Sequence, residues 1–247
     1  MFIAEIGNNH RGKECTASIL LDALFATGIN ALTFQIREPS FYDGSMPERN
    51  PLSKEFFRDA IKRCKKNNKK IGFAIADINY IDFLHKEGAD FWKTLSWDIL
   101  NKDLQVSLKR TGKPVFVSTG VSGMRDIIAA SKMNQRSAFI HTHLAAETES
   151  ANLMAIKEIK KATKRKVAFG SHCHNRNIFF TAVAFEPSDI FFYVKDDTGG
   201  RCTDDEHAVP LSEVEVFISE LNALHCALGN GKKMAQKDYE SYYSGRK

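Results

Sequence analysis

Short apolar runs alternate with amphipathic stretches along almost the whole chain. The runs fall at 2–6, 30–35, 71–75, 89–93, 114–118, 138–142, 166–170 and 189–194. Each is too short for a helix, rich in β-branched, aromatic or small residues, and so reads as a strand buried on both faces. Between them, apolar positions recur at helical spacing near 14–27, 53–68, 79–87, 101–110, 122–134, 149–164, 175–185 and 211–227. Eight strand–helix units predict an α/β protein, a single (β/α)8 TIM barrel over residues 1–228, followed by a polar, basic tail or dimer-contact arm over 229–247. No Gly-x-Gly-x-x-Gly follows the first run, which argues against an open doubly wound sheet. A chain of 247 residues buries roughly 70–75% of the surface that its unfolded form exposes, enough for one core without staples.

Composition narrows the class further. A hydrophobic share of 43% and a charged share of 26%, with no apolar run of membrane-spanning length and no leader pattern, are expected of a soluble, cytoplasmic protein. The five cysteines lack Cys-x-x-Cys pairing and suit reduced thiols. Net charge is +5, and the lysines of 62–70 and 157–166 read as solvated helix faces. Without interleaved aromatics they predict no nucleic-acid partner, and nothing in the pattern predicts a membrane partner.

In such a barrel the chemistry is expected where strands end. Glu5 stands out, because a carboxylate inside the apolar run Phe2-Ile-Ala-Glu-Ile6 is costly unless a cation, a substrate or hydrogen bonds meet it. The first strand also delivers His10. The second ends in Thr33, Gln35 and Arg37, the fourth offers Lys93 and Ser96, and the fifth closes with Ser118-Thr-Gly120. His141-Thr-His143 and His172-Cys-His174 follow on the sixth and seventh, and Lys195-Asp-Asp197 ends the eighth. Residues two apart on a strand share a face, so each His-x-His pair is a candidate for holding a divalent metal, with His172, His174 and His143 as ligands. The long stretch from Arg37 to Ser53, with Pro39, Gly44, Pro47 and Pro51, is a candidate lid over that end.

Ile3-Ala-Glu-Ile-Gly-Asn-Asn-His-Arg-Gly12 closely resembles the opening of the sialic acid (nonulosonate) synthase family, and the likeness continues in order along the chain. Ala31-Leu-Thr-Phe-Gln35, Lys93 with Ser96, Gly112-Lys-Pro-Val-Phe-Val-Ser-Thr-Gly120, Asp205-Glu-His207 and Ala227-Leu-Gly-Asn-Gly-Lys-Lys233 all resemble family segments. The resemblance implies a metal-assisted condensation of phosphoenolpyruvate with an amino-sugar aldehyde, giving a nonulosonic acid and phosphate. It implies Glu5 as acid/base or carbonyl-orienting carboxylate, and Lys93, Ser96 and Ser118 as ligands of the phosphate and carboxylate. Asp98, Asp205 and Glu206 would meet the sugar, with Gln35, Arg37 and His141 among the substrate contacts, and His174, or else His172, would be the metal ligand of the seventh strand. Manganese is the first choice of metal, with zinc, cobalt and iron as alternatives. A homodimer is implied as well.

The chain also departs from that pattern. Thr33 stands where the family has a phosphate-binding lysine, Ile75-Ala-Asp77 replaces Ser-Thr-Pro, and the residues after His141 lose an amide and an aromatic ring. Lys195 occupies the position of the second metal histidine, so His172 or His143 is the expected substitute, and Arg37 or Lys195 the expected replacement for the lost cation. The family's small antifreeze-like C-terminal domain has no counterpart before Lys247. Two other readings stay open: a metal-dependent aldolase or lyase using Gly170-Ser-His-Cys-His-Asn175, and a non-catalytic barrel that binds an acidic sugar or a partner enzyme.

Overall fold

The computed structural model describes residues 1–43 and 49–232. Eight parallel strands, β1 (Phe2–Gly7), β2 (Ala31–Ile36), β3 (Lys70–Ile75), β4 (Phe91–Thr94), β5 (Val115–Ser118), β6 (Ser137–His143), β7 (Val167–Ser171) and β8 (Ile190–Lys195), pair in sequence order. Pairing of β1 with β8 closes them into a (β/α)8 barrel, with Glu5 level with Thr33 on one side and Tyr193 on the other. Around it lie α1 (Glu14–Phe25), the short α2 (Pro39–Tyr42), α3 (Lys54–Lys66), α4 (Ile81–Glu87), α5 (Lys102–Arg110), α6 (Met124–Met133), α7 (Ala155–Thr163), α8 (Asn177–Ala182) and α9 (Val214–Leu228). A two-residue β9 (Val209–Pro210) pairs beside the end of β8.

Alternation along each strand sorts side chains into two cores. Outward residues such as Ile6, Phe34, Phe73, Trp92, Phe139, Phe169 and Phe192 pack under the helices in one continuous cluster. Inward residues Ile3, Ala31, Phe91, Phe116, Ile140, Ala168 and Phe191 form a separate small cluster inside the barrel. Phe116 meets Phe91 and Phe191 edge-on, with ring centroids 5.6 and 5.1 Å apart, so aromatic rings plug the lower barrel. Two residues further along these strands, all but β7, where Gly170 stands, the inward positions turn polar. The apolar plug is therefore the floor on which the polar mouth stands.

All eight expected strands form within two residues of their expected limits. The helices differ more. The stretch expected to be helical over 149–164 begins only at Ala155, because the backbone before it is pinned to β6: His141 Nε2 lies 2.8 Å from the Ala151 carbonyl and His143 Nε2 3.0 Å from Ser150 Oγ. The 175–185 helix divides into α8 and a 3-10 turn at Val183–Phe185. Helix starts follow their caps where polar residues allow, as at Ser53, which accepts from Phe56 N, and Asn101, which accepts from Leu104 N. Part of the expected lid forms α2, while residues 44–48 and the tail from 233 onward lie outside the described residues. Cys15, Cys64, Cys173, Cys202 and Cys226 are all free. Among the described residues no helix is long and apolar enough to cross a membrane.

Gly72 makes room for the plug, since a Cβ there would lie 2.3 Å from the Phe91 ring. Gly72→Ala is therefore expected to destabilise the barrel by about 1–3 kcal/mol through overpacking, read as a lower urea midpoint. An unchanged midpoint would mean that Phe91 moves aside freely.

Candidate functional site

Above the aromatic plug, Glu5 on β1 and Lys93 on β4 form an ion pair across the barrel interior. Both are withdrawn from water, at 3% and 6% exposure. Neither charge is tolerable there alone, and each answers the desolvation of the other. The ammonium also lies 5.5 Å from the Phe191 ring centroid and 5.8 Å from that of Tyr193. Burial, followed by the nearby Glu5 carboxylate, pushes the Tyr193 hydroxyl well above its ordinary pKa, so this ring stays neutral.

Beside the pair runs a ladder of hydroxyls. Ser96 Oγ lies 2.9 Å from Ser118 Oγ, which lies 2.7 Å from Thr142 Oγ1. The hydroxyls of Thr33 and Thr94 are buried without any partner. Gly120 keeps this wall open, because a Cβ there would come within 2.7 Å of Ser96 Oγ.

A second cluster stands against Tyr193. His172, just past β7, and Asp204 and His207, in the loop after β8, bring one donor atom each within 4.8 Å of one another. The imidazoles of His172 and His207 are 4.5 Å apart between centroids, and Tyr193 packs edge-on against them at 5.2 and 5.1 Å. Burial first, then neighbouring His207, pushes His172 down to about 4, which leaves a neutral ring with lone pairs to donate. Asp204 Oδ2 and His207 Nε2 are buried without a hydrogen-bond partner, His207 Nε2 lying 3.5 Å from Asp204 Oδ1. Orphaned polar atoms of this kind are costly unless something meets them, and two imidazoles with a carboxylate form a set suited to a divalent manganese, iron, cobalt or zinc ion. The residues therefore fit a metal.

The loop that carries Asp204 is tied back to the first strand. Asn9 accepts from the Asp204 amide at 3.0 Å and donates to the Val194 carbonyl at 2.9 Å. Gly7, at φ +54°, lets the chain pass beneath, since a Cβ would lie 2.9 Å from the Tyr193 ring and 3.4 Å from Asp204 Oδ2. Burial also pushes nearby His10 down to about 4, and its Nδ1 accepts from the Gly12 amide.

The structure thus gathers Glu5, Lys93, Ser96, Ser118 and His172 at the mouth, and sends the other expected residues to different tasks. His141 and His143 do share a face, but it is the outward one: His141 packs on Phe169 at 6.0 Å, and His143 Nδ1 meets Ser171 Oγ at 3.1 Å. His174 pairs with Glu206 at 2.9 Å, where both are largely solvent-exposed. Lys195, the expected replacement cation, donates to the Asp205 carbonyl and carboxylate at 2.7 and 3.1 Å. Arg37, the other, pairs with Glu38 at 2.8 Å and lies over Phe41 and Trp97 at 4.1 and 5.0 Å. Gln35 accepts from Asn8 at 2.7 Å. Asp98 keeps one buried oxygen unpartnered, and burial raises its pKa. Asp204, His207, Asn9 and Thr142 are the site residues that sequence reasoning missed. Only the Asp-x-x-His spacing past the eighth strand could have pointed to the first two.

A closed parallel barrel with a buried carboxylate–ammonium pair, a hydroxyl wall and a metal-ready His/Asp/His group at the C-terminal mouth defines the class. The chain belongs to the NeuB family, whose model matches residues 21–233. It is 22% identical over 266 residues to the N,N'-diacetyllegionaminic acid synthase of Campylobacter jejuni, covering 96% of this chain and 80% of that protein. It is 24% identical over 257 residues to the N-acetylneuraminate-9-phosphate synthase of Mus musculus, covering 94% and 72%. The crystal structure of an N-acetylneuraminic acid synthetase from Leptospira borgpetersenii shares the fold at a TM-score of 0.86 and 23% identity, over 99% of this chain and 90% of that one.

Removing Asp204 or His207 by alanine substitution is expected to weaken Mn(II) binding by about tenfold or more, measured calorimetrically, whereas His174→Ala should leave it unchanged. The reverse pattern would move the metal to the His172/His174 pair.

Proposed function

We propose that this chain condenses phosphoenolpyruvate with an amino-sugar aldehyde to give a nonulosonic acid and phosphate. The observation that carries this reading is the meeting, on one barrel mouth, of the Glu5–Lys93 pair, the Ser96–Ser118–Thr142 hydroxyls and the His172/Asp204/His207 group. Family membership and the names of the relatives support it. In this reading Lys93, Ser96 and Ser118 bind the carboxylate and phosphate, a dianion being held by one ammonium and several hydroxyl donors. The unpartnered Thr33 hydroxyl adds a donor where the family has a lysine.

The reaction forms a bond from the methylene carbon of the enol to the aldehyde carbon. Water adds at the neighbouring carbon, and phosphate leaves with its bridging oxygen. Glu5 is placed, across the ion pair from Lys93, to hold and move a proton beside these carbons. A divalent cation held by His172, Asp204 and His207 would supply Lewis-acid polarisation of the aldehyde. Tyr193 seals the mouth layer between the ion pair and the imidazoles.

The aldolase alternative needs His172 and His174 on one ion, and His174 is engaged with Glu206 instead. Calorimetric titration of phosphoenolpyruvate into the wild-type protein is expected to show binding that Ser118→Ala weakens by about tenfold, the scale of a hydrogen bond to a charged group. Phosphate should be released only when an N-acetylated amino-sugar aldehyde is also present. Absence of both binding and phosphate release, in a protein that still takes up Mn(II), would leave the non-catalytic barrel as the better reading.

A further inference from the structure

The end of the barrel opposite the mouth carries a concentration of charge that the reaction does not use. Residues 157–166 hold Lys157, Lys160, Lys161, Lys164, Arg165 and Lys166 against the single carboxylate of Glu158, a net +5 equal to that of the whole chain. These six cations line one shallow, open groove of about 590 Å³. Among the described residues none of them makes an ion pair, although Arg58, Arg63 and Arg176 on other helices are all paired with carboxylates. The helix dipole accounts for Lys160 and Lys161 in the last turn of α7, but Lys164, Arg165 and Lys166 lie beyond its end.

The backbone gives a second, independent sign. Lys164 caps α7 in the left-handed conformation, at φ 57°. The equivalent left-handed residues after α3, α4 and α5 are Asn68, Gly88 and Gly112, types that adopt it at little cost. Glu186, after the 3-10 turn that follows α8, and Arg11, after β1, are the other charged residues in this conformation among the described residues. At Lys164 a side chain is retained where glycine would relax the turn, and what that side chain adds is a further unpaired charge.

The patch continues sideways. In the two preceding units Lys109, Lys113 and Arg136 line a neighbouring groove at the same end, just before β5 and β6 begin. Cations thus spread over three consecutive helix-to-strand turns and face away from the mouth.

We propose that this N-terminal end of the barrel docks on an anionic lipid surface. Lysine point charges spread over a broad end suit a diffuse array of headgroup phosphates. A nucleic-acid site would want stacking aromatics or guanidinium forks, and this patch has seven lysines to two arginines. The contact is peripheral and electrostatic, so it needs no apolar span, and it leaves the mouth open to solvent. The solvated helix face expected from the sequence becomes, with its charges unpaired and its turn strained, a docking face.

The test is co-sedimentation of the full chain with phosphatidylcholine vesicles, with and without phosphatidylglycerol. Binding is expected only with phosphatidylglycerol and should be lost as salt is raised. The triple variant Lys160→Glu, Lys161→Glu, Lys164→Glu should lower the partition coefficient on the order of a hundredfold, and Lys102→Glu, at the other end of the barrel, should leave it unchanged. Lys164→Gly should lower it about fivefold while raising the thermal midpoint, which separates lost binding from lost folding. Equal binding to neutral vesicles, indifference to these variants, or capture of duplex RNA in place of vesicles would overturn the proposal.

Discussion

The mouth of this barrel depends on one interaction, the ion pair between Glu5 and Lys93. The two residues sit on β1 and β4, strands that are not neighbours, and their charges meet across the interior. Breaking such a pair leaves an uncompensated buried charge, at about 3–5 kcal/mol, whereas the intact pair contributes little net stability. It is a device for placing charge, and its cost is borne by the aromatic floor beneath and the outer core around it. Tyr193 is level with Glu5 on the neighbouring strand, and the hydroxyls and imidazoles stand around it at the strand ends and in the loops just beyond them.

The second cluster draws its groups from a segment other than the eighth strand. Lys195 stands where family resemblance led one to expect a histidine, and its ammonium is turned aside to Asp205. Asp204 and His207, a few residues further along, reach back to His172 instead. Their loop is held by Asn9, so the opening strand serves both centres: Glu5 supplies the carboxylate of the first and Asn9 anchors the second.

The two ends of the barrel have taken on different chemistry. Inside the C-terminal mouth the charges of Glu5 and Lys93 are buried and matched. At the other end they are numerous, exposed and unmatched along α7 and its following turn. This division follows from the architecture, because strand-to-helix loops can converge on the axis while helix-to-strand turns fan outward.

The fold was legible in the sequence because a parallel barrel writes itself locally: each strand is a short apolar run, each helix a 3.6-residue repeat, and neither needs distant information. Glu5 was legible as a charge inside an apolar run, and Lys93, Ser96 and Ser118 as polar residues at or just past the ends of such runs. His141 and His143 were misplaced because spacing by two fixes a shared face but not which face, and that choice depends on the register of β6 against its neighbours. Asp204 and His207 were missed because a loop has no period. Their convergence on His172 exists only when β7 and β8 are side by side and Asn9 draws the loop in. The sequence by itself determined the barrel and the polar character of its mouth; the tertiary structure alone decided which of the histidines face one another, since contacts between residues distant in sequence are set by closure of the sheet.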